Sequence, residues 1–436
     1  MIKVKQKVLN YIKKHNLLSK DKAIVIALSG GVDSMVLFDI LRSLNYKVII
    51  AHVNHNVRKE SYYEYQEIEK LAKNLDIPFY GLILEEINNA NFHDEARKKR
   101  YDFFKEVANE NNTNTICTAH HLDDLIETSL MKIVRGSNIL GYSGIKNKVS
   151  IDGIDIVRPL LCLNKDEIYE YANNNKLLYF EDQSNKTDHY TRNRYRHHII
   201  PLLKEENPNI YQEFQSFSNQ LLNAFNYIRK QSLSILNNWN NEININEYKK
   251  LDKALQYDII SILLEKYKII QITSKIETIM EIINKDKANS SIDLNYQYVF
   301  YKSYAKGFIS KKINPTPYEI IINDFGLYSL PNGDSILYTK ILQKNNTNYI
   351  NICYNNKMSL PIIVRNRKDG DVIHFDYGNK KVKDHLIDKK IPLIDRDIIP
   401  IVTDSNDNII GIIGIGPKKG QGDAYLYWLR SNEYEK

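Results

Sequence analysis

The six residues Ser29-Gly30-Gly31-Val32-Asp33-Ser34 follow directly on the apolar run Ala23-Ile24-Val25-Ile26-Ala27-Leu28, and no other segment constrains the chain as tightly. A short apolar run ending in glycines reads as a buried strand. Two glycines let the backbone turn tightly and approach an anion closely. Ser34-Met35-Val36-Leu37-Phe38 then opens a helix whose free N–H groups face that anion. Loop and helix end together form a phosphate nest. The segment is not the common phosphate loop, because G-x-x-x-x-G-K-S/T requires a lysine that is missing here. The plainer alternative is a Gly-Gly turn in which Ser29 or Asp33 only caps the helix.

At 436 residues the chain is too long for one compact core, and the length implies about three domains. Hydrophobic residues at 43% and charged residues at 26% are ordinary for a soluble globular chain and exclude a disordered or collagen-like one. No run reaches the about 18 apolar residues of a membrane span. The basic start Met1-Ile2-Lys3-Val4-Lys5-Gln6-Lys7 leads into more lysines instead of an apolar region, so no secretory signal is expected. Cys117, Cys162 and Cys353 lie far apart, which points to a reducing cytoplasm and away from zinc or iron–sulfur ligation. A net charge of +7, from 60 Lys and Arg against 53 Asp and Glu, permits a polyanionic partner without demonstrating one.

The first 200 residues alternate β-rich runs, such as Lys47–Ala51, Pro78–Leu84 and Thr115–Ala119, with helical patterns at Glu64–Leu75, Asn91–Ala108 and onward from His121. Repeated β-α units predict an α/β fold with a parallel, doubly wound sheet, whose ligands sit beyond the carboxyl ends of the strands. Tyr211–Asn237 and Leu255–Tyr267 carry apolar residues at three- and four-residue spacing, which predicts a helical middle domain. From about Ser291 the text becomes β-rich, with turn signals such as Pro331-Asn332-Gly333-Asp334, and a smaller α+β C-terminal domain is expected. The expected boundaries are 1–205, 206–314 and 315–436.

Four constellations accompany the loop. His52-Val53-Asn54-His55-Asn56-Val57-Arg58 closes the second strand and should face the same crevice. Arg97 and Tyr101 share a helix face at i and i+4; Arg97 either clamps an anion or is an exposed helix charge. Ala119-His120-His121-Leu122-Asp123-Asp124-Leu125-Ile126-Glu127-Thr128 is the richest window, and a helical reading puts His120, Asp124 and Glu127 on one side. Acidic residues in a first turn also favour the helix dipole, but two histidines and three carboxylates exceed what capping needs. Arg192, Arg194 and Arg196 with Tyr195 either contact RNA phosphates or form a solvated face.

SGGVDS resembles the loop of the PP-loop ATP pyrophosphatases, which split ATP between the α and β phosphates. In order, SGGVDS, HVNHNVR, DEARKKRY, AHHLDDLIET, Arg135-Gly136, RPLL and EDQSNKTDHYTRNRYRHHIIP resemble the tRNA(Ile)-lysidine synthetases over about 30–200. A weaker stretch from Val364 to Pro392 is similar to that family's C-terminal tRNA-contacting domain. Asn56 stands where the family commonly has glycine, and Asn tolerates the same backbone.

The resemblance implies an adenine nucleotide alpha hydrolase-like fold and ATP-dependent joining of free L-lysine to carbon 2 of the wobble cytidine of the CAU-anticodon isoleucine tRNA, by way of an adenylated tRNA. It implies ATP contacts from Ser29, Gly30, Gly31, Val32, Asp33, Ser34, His52, Asn54 and Arg97, with Mg²⁺ held by Asp33. Asp33, His120, Asp124, Glu127 and Arg192 become the catalytic set, with Asp124 and Glu127 on the lysine substrate. Arg194, Arg196, Arg365, Arg367, Lys380, Lys381 and Lys383 become the tRNA contacts. Other PP-loop enzymes, such as GMP and asparagine synthetases and tRNA thiolases, need a glutaminase segment or paired cysteines not seen here. An RNA-binding protein with a vestigial ATP loop is the reading from another class. Monomer and homodimer are both left open.

Overall fold

A computed structural model of the protein describes residues 2–54, 60–84, 92–181, 187–188, 190–269, 272–313, 316–343, 348–352, 361–375, 378–415 and 424–431. His55, Asn56 and Arg58 of the second motif, and residues 182–186, lie outside these. The chain divides into two compact units, Met1–Asn226 and Tyr227–Lys436. Among the described residues no helix is long and apolar enough to cross a membrane.

In the first unit α1 (Ile2–Lys14) precedes the alternation β1 (Ile24–Ala27), α2 (Val32–Ser43), β2 (Val48–Asn54), α3 (Glu60–Asn74), β3 (Phe79–Ile83), α4 (Phe92–Glu110), β4 (Thr115–Cys117) and α5 (Leu122–Arg135). It continues through α6 (Ile139–Tyr142), β5 (Lys148–Ile151), β6 (Ile154–Val157), α7 (Lys165–Asn174), α8 (Thr191–Arg194), α9 (Ile200–Glu206) and the first part of α10 (Ile210–Asn238), up to Asn226. The sheet order is β3-β2-β1-β4-β6-β5, parallel except for the β5 edge strand. β2 is buried along its whole length, as expected of a strand covered on both faces. Val8, Phe38, Ile68 and Ile168 from α1, α2, α3 and α7 pack in one core, and Phe104, Val107 and Ala108 of α4 in a second one. The sheet is therefore doubly wound.

The chain runs from β1 outward through β2 and β3, then returns to lay β4 on the other side of β1, with Ile26 opposite Cys117. Strand order reverses there, which opens a crevice beyond the carboxyl ends of β1 and β4. The SGGVDS loop leaves one strand and the His-rich window leaves the other.

In the second unit, the segment expected to be helical also carries a sheet. α11 (Ile245–Tyr248), α12 (Lys253–Lys266) and α13 (Ile272–Asn284) accompany β7 (Ile243–Asn244), β8 (Asn289–Asp293), β9 (Tyr298–Ser303) and β10 (Lys306–Lys311), in the antiparallel order β7-β10-β9-β8. The apolar faces of α12 and α13, with Ile259, Leu263, Ile276 and Ile279, need a covering layer, and Phe300 and Ile309 of the sheet supply it. The remaining chain forms a six-stranded and a four-stranded sheet over a core that includes Val364, Ile401, Leu426 and Trp428.

Arg365, expected to touch tRNA, is buried instead. It ends the strand Ile362–Arg365 with an inward side chain, 1% exposed, and donates to both oxygens of Asp371 at 2.9 and 3.0 Å and to Asp407 at 3.0 Å. A guanidinium enclosed by its own carboxylates has no face left for a phosphate. Arg367 is held to Asp397 at 2.7 Å, and Lys380 pairs with Asp388. Lys381 and Lys383 are exposed. Because Asp371 is mostly buried, Arg365→Ala should destabilise the second unit by about 3–5 kcal/mol, the usual result of stranding a buried charge. A urea midpoint shift worth under about 1 kcal/mol would show instead that the pair behaves as a solvent-screened surface contact.

Candidate active site

Only one of the two loop glycines needs its freedom for the turn. Gly30 has φ +87°, and a Cβ there would meet Ile68 at 3.0 Å and Phe180 at 3.1 Å. Gly31 has an ordinary φ of −70° and caps α2; a Cβ on it would meet nothing closer than 3.6 Å, and its amide donates to the Ser29 hydroxyl at 3.4 Å. The Ser34 hydroxyl accepts from the Gly30 amide at 3.1 Å and donates to the Gly31 carbonyl at 2.9 Å, which fixes the loop before any anion arrives. The Gly30 carbonyl accepts from the Phe180 amide at 3.0 Å. Asp33, in the first turn of α2, receives the Lys165 ammonium at 2.6 Å.

Across the crevice, His121 is the extended N-cap of α5, and its amide donates to Asp124 at 3.0 Å. His120 therefore precedes the helix and does not share its face with Asp124 and Glu127 as the sequence suggested. The His121 ring lies 3.3 Å from Asp123, 3.6 Å from Asp124 and 3.7 Å from Asp33, so one buried imidazole links the two loops. Burial opposes charge on His121, yet these carboxylates raise its pKa above the ordinary value. Asp123 shifts the other way: burial works against its ionised form, while His121, the Tyr211 hydroxyl and the Lys165 amide at 2.8 Å hold it well below the carboxylate range.

Glu127 is fully buried one turn further on. Burial pushes its pKa up, and two guanidinium groups counter this: Arg196 donates to Oε1 at 2.7 Å, and the Arg192 Nε contacts Oε2 at 2.7 Å with poor hydrogen-bond alignment. Arg192 also donates to the Thr128 hydroxyl at 3.1 Å. Arg196, expected among the tRNA contacts, is turned into this cluster and also approaches Asp124 at 3.6 Å. Arg194 instead binds its own segment, donating to the Asp188 carbonyl and the Thr191 hydroxyl.

The other expected residues lie around this centre. His52 is buried and donates to the Leu28 carbonyl at 2.7 Å, supporting the loop from below; burial lowers its pKa. Asn54 is buried and donates to the Ser61 carbonyl. Arg97 is exposed on α4 and lies over the Tyr101 ring at 5.6 Å. His120 is bonded to the Thr118 hydroxyl at 2.9 Å, and burial brings its pKa down to about 4 despite the pull of Asp124, so it is neutral at pH 7. His121 and Asp123 lie in the His-rich window but carry no signal of their own, because neither a histidine N-cap nor His-x-x-Asp matches the usual Ser/Thr-x-x-Glu/Gln capping pattern. Lys165 and Tyr211 carried no sequence signal.

Residues 1–203 match a family described as PP-loop domain, and residues 362–428 match one described as TilS substrate C-terminal domain. The chain is 34% identical over 443 residues to the bifunctional protein TilS/HprT of Listeria innocua serovar 6a, covering 94% of this chain and 67% of the relative. It is 33% identical over 420 residues to the tRNA(Ile)-lysidine synthase of Aster yellows witches'-broom phytoplasma, covering 94% of each. To the tRNA(Ile)-lysidine synthase of Bacillus anthracis it is 29% identical over 439 residues, covering 93% of this chain and 91% of the relative. These matches run nearly the length of the chain, and on them it belongs to the tRNA(Ile)-lysidine synthase family, ligases built on a PP-loop domain.

Proposed function

We propose that the protein joins free L-lysine to carbon 2 of the wobble cytidine of tRNA(Ile) with a CAU anticodon, in two steps that consume ATP. The observation that carries this reading is the anion loop and the buried carboxylate cluster meeting at one crevice, with His121 between Asp33 and Asp124. In the first step the cytidine O2 attacks the α-phosphorus of ATP, the bond to the β-phosphate oxygen breaks, and pyrophosphate leaves. In the second the lysine ε-amine attacks carbon 2 and AMP leaves with the O2 atom.

For the first step the amides of the first turn of α2, which have no partner within the helix, suit the ATP phosphates. Asp33 fits Mg²⁺, because this ion is commonly held through one or two carboxylates, substrate phosphates and retained waters, and the Asp33 side chain is partly exposed beside the loop. When bound, the ion would offset charge on the phosphates.

For the second step the substrate amine is the difficulty. With a reference pKa near 10.4, roughly one lysine in a thousand or fewer is uncharged at pH 7, so the ammonium must first be held and then lose a proton. Asp124 and Glu127 suit the first task. The Glu127 oxygen facing Arg192 has only a poorly aligned partner, so an incoming ammonium can take the place of Arg192 there. Arg192, displaced, is then available to stabilise charge on the activated nucleotide. On the tRNA, exposed Lys381 and Lys383 suit phosphate contacts.

The direct test incubates the protein with ATP, Mg²⁺, labelled lysine and unmodified transcripts. Label should attach to the CAU-anticodon isoleucine tRNA and not to methionine tRNA with the same anticodon; pyrophosphate release without lysine transfer would refute the amine assignment. Asp124→Asn preserves an acceptor for the His121 amide while removing the charge. It should raise the KM for lysine at least about tenfold, since a hydrogen bond to a charged group contributes about 1.5–3 kcal/mol, and leave the KM for ATP unchanged. An unchanged lysine KM would remove Asp124 from the lysine site.

A further inference from the structure

The anion loop lacks the lysine that the more familiar phosphate loops carry within their own sequence, and in the folded chain a lysine arrives from elsewhere. Lys165 opens α7, 132 residues beyond Asp33, and its ammonium lies 2.6 Å from the Asp33 carboxylate. Its position is over-determined. The Asn164 amide donates to Glu167 at 3.0 Å and the Glu167 amide to Asn164 at 2.8 Å, so a full capping box fixes the start of α7. The Lys165 amide donates to Asp123 at 2.8 Å, tying the same residue to the carboxylate cluster, and the side chain crosses the Tyr169 ring at 5.0 Å on its way to the loop. That side chain is 27% exposed, open enough to meet a ligand.

We infer that Lys165 is a phosphate-binding residue of this active site, supplying in space the cation absent from the loop. The inference rests on the two-step reading above and adds a residue to it. Without nucleotide, Lys165 neutralises Asp33. With ATP and Mg²⁺ bound, Asp33 would hold the ion, and the Lys165 ammonium would then be free for the β- and γ-phosphate oxygens. As the bond between the α-phosphorus and the bridging oxygen breaks, the electron pair goes to that oxygen, and Lys165 faces the charge that develops on the departing pyrophosphate. Its backbone contact with Asp123 makes the residue common to both halves of the crevice, the phosphates on one side and the carboxylates on the other.

The test compares Lys165→Met and Lys165→Arg with the parent protein in two measurements, the affinity for inorganic pyrophosphate with Mg²⁺ by calorimetry, and the steady-state kinetics of tRNA-dependent pyrophosphate release. Lys165→Met should weaken pyrophosphate binding and lower kcat/KM for ATP about 100-fold, the usual scale for a lost charge-stabilising group, while the KM for lysine stays the same. Lys165→Arg should recover most of both losses, which a purely structural role would not produce. Three results would overturn the inference: parental pyrophosphate affinity in Lys165→Met, an arginine variant as impaired as the methionine one, or no pyrophosphate binding by the parent. If the parent binds pyrophosphate through Lys165 yet releases none with tRNA, the phosphate role stands and the reaction assignment fails.

Discussion

Three carboxylates from the first two turns of one helix, Asp123, Asp124 and Glu127, are buried at the end of the sheet, and the rest of the site is arranged around their charge. Buried carboxylates persist only with partners. His121 supplies a shared one for the first two, Tyr211 and the Lys165 amide complete Asp123, and Arg192 and Arg196 converge on Glu127. Apart from His121, which caps the same helix, the partners come from other elements, so satisfying the charges also gathers α5, α7, α8, the segment after it and α10 into one place. The same contacts explain opposite pKa directions within a few ångströms. Asp123 has enough donors to be held low, whereas Glu127 is so dry that two cations only partly offset burial.

This arrangement also has a pH signature in stability. Asp123, with its pKa depressed, contributes stability that is present above its unfolded pKa of 3.8 and is lost as pH falls through its lower folded value. His121, with its pKa raised, contributes stability that is complete below 6.5 and is lost as pH rises through its higher folded value. The two windows leave the site best held on the mildly acidic to neutral side.

Much of this was legible in the sequence, and the rest was hidden for identifiable reasons. β1 and SGGVDS were readable because a strand buried on both faces is a continuous apolar run and the glycines mark its end. The window from His120 to Glu127 was readable as chemistry, but the helix start was not, because which histidine becomes the N-cap is decided by the extended backbone at His121 and its bond to Asp124. Arg365 shows the converse error: a basic run does not say which side chain points inward, and this one ends a buried strand opposite Asp371. β9 and β10 fall in the text read as β-rich from about Ser291, but β7 is two residues long, too short to carry a pattern, so its pairing with β10 went unread. Lys165 and Tyr211 reach partners 132 and 88 residues away, separations at which periodicity says nothing.

In the proposed reaction the phosphate half of the crevice acts on the tRNA before the carboxylate half acts on lysine. It is tested most directly by following the α-phosphate of radiolabelled ATP in the complete absence of lysine. Label is expected on the CAU-anticodon isoleucine transcript, released as AMP when lysine is added. Label appearing on lysine, or on nothing until lysine is present, would contradict it.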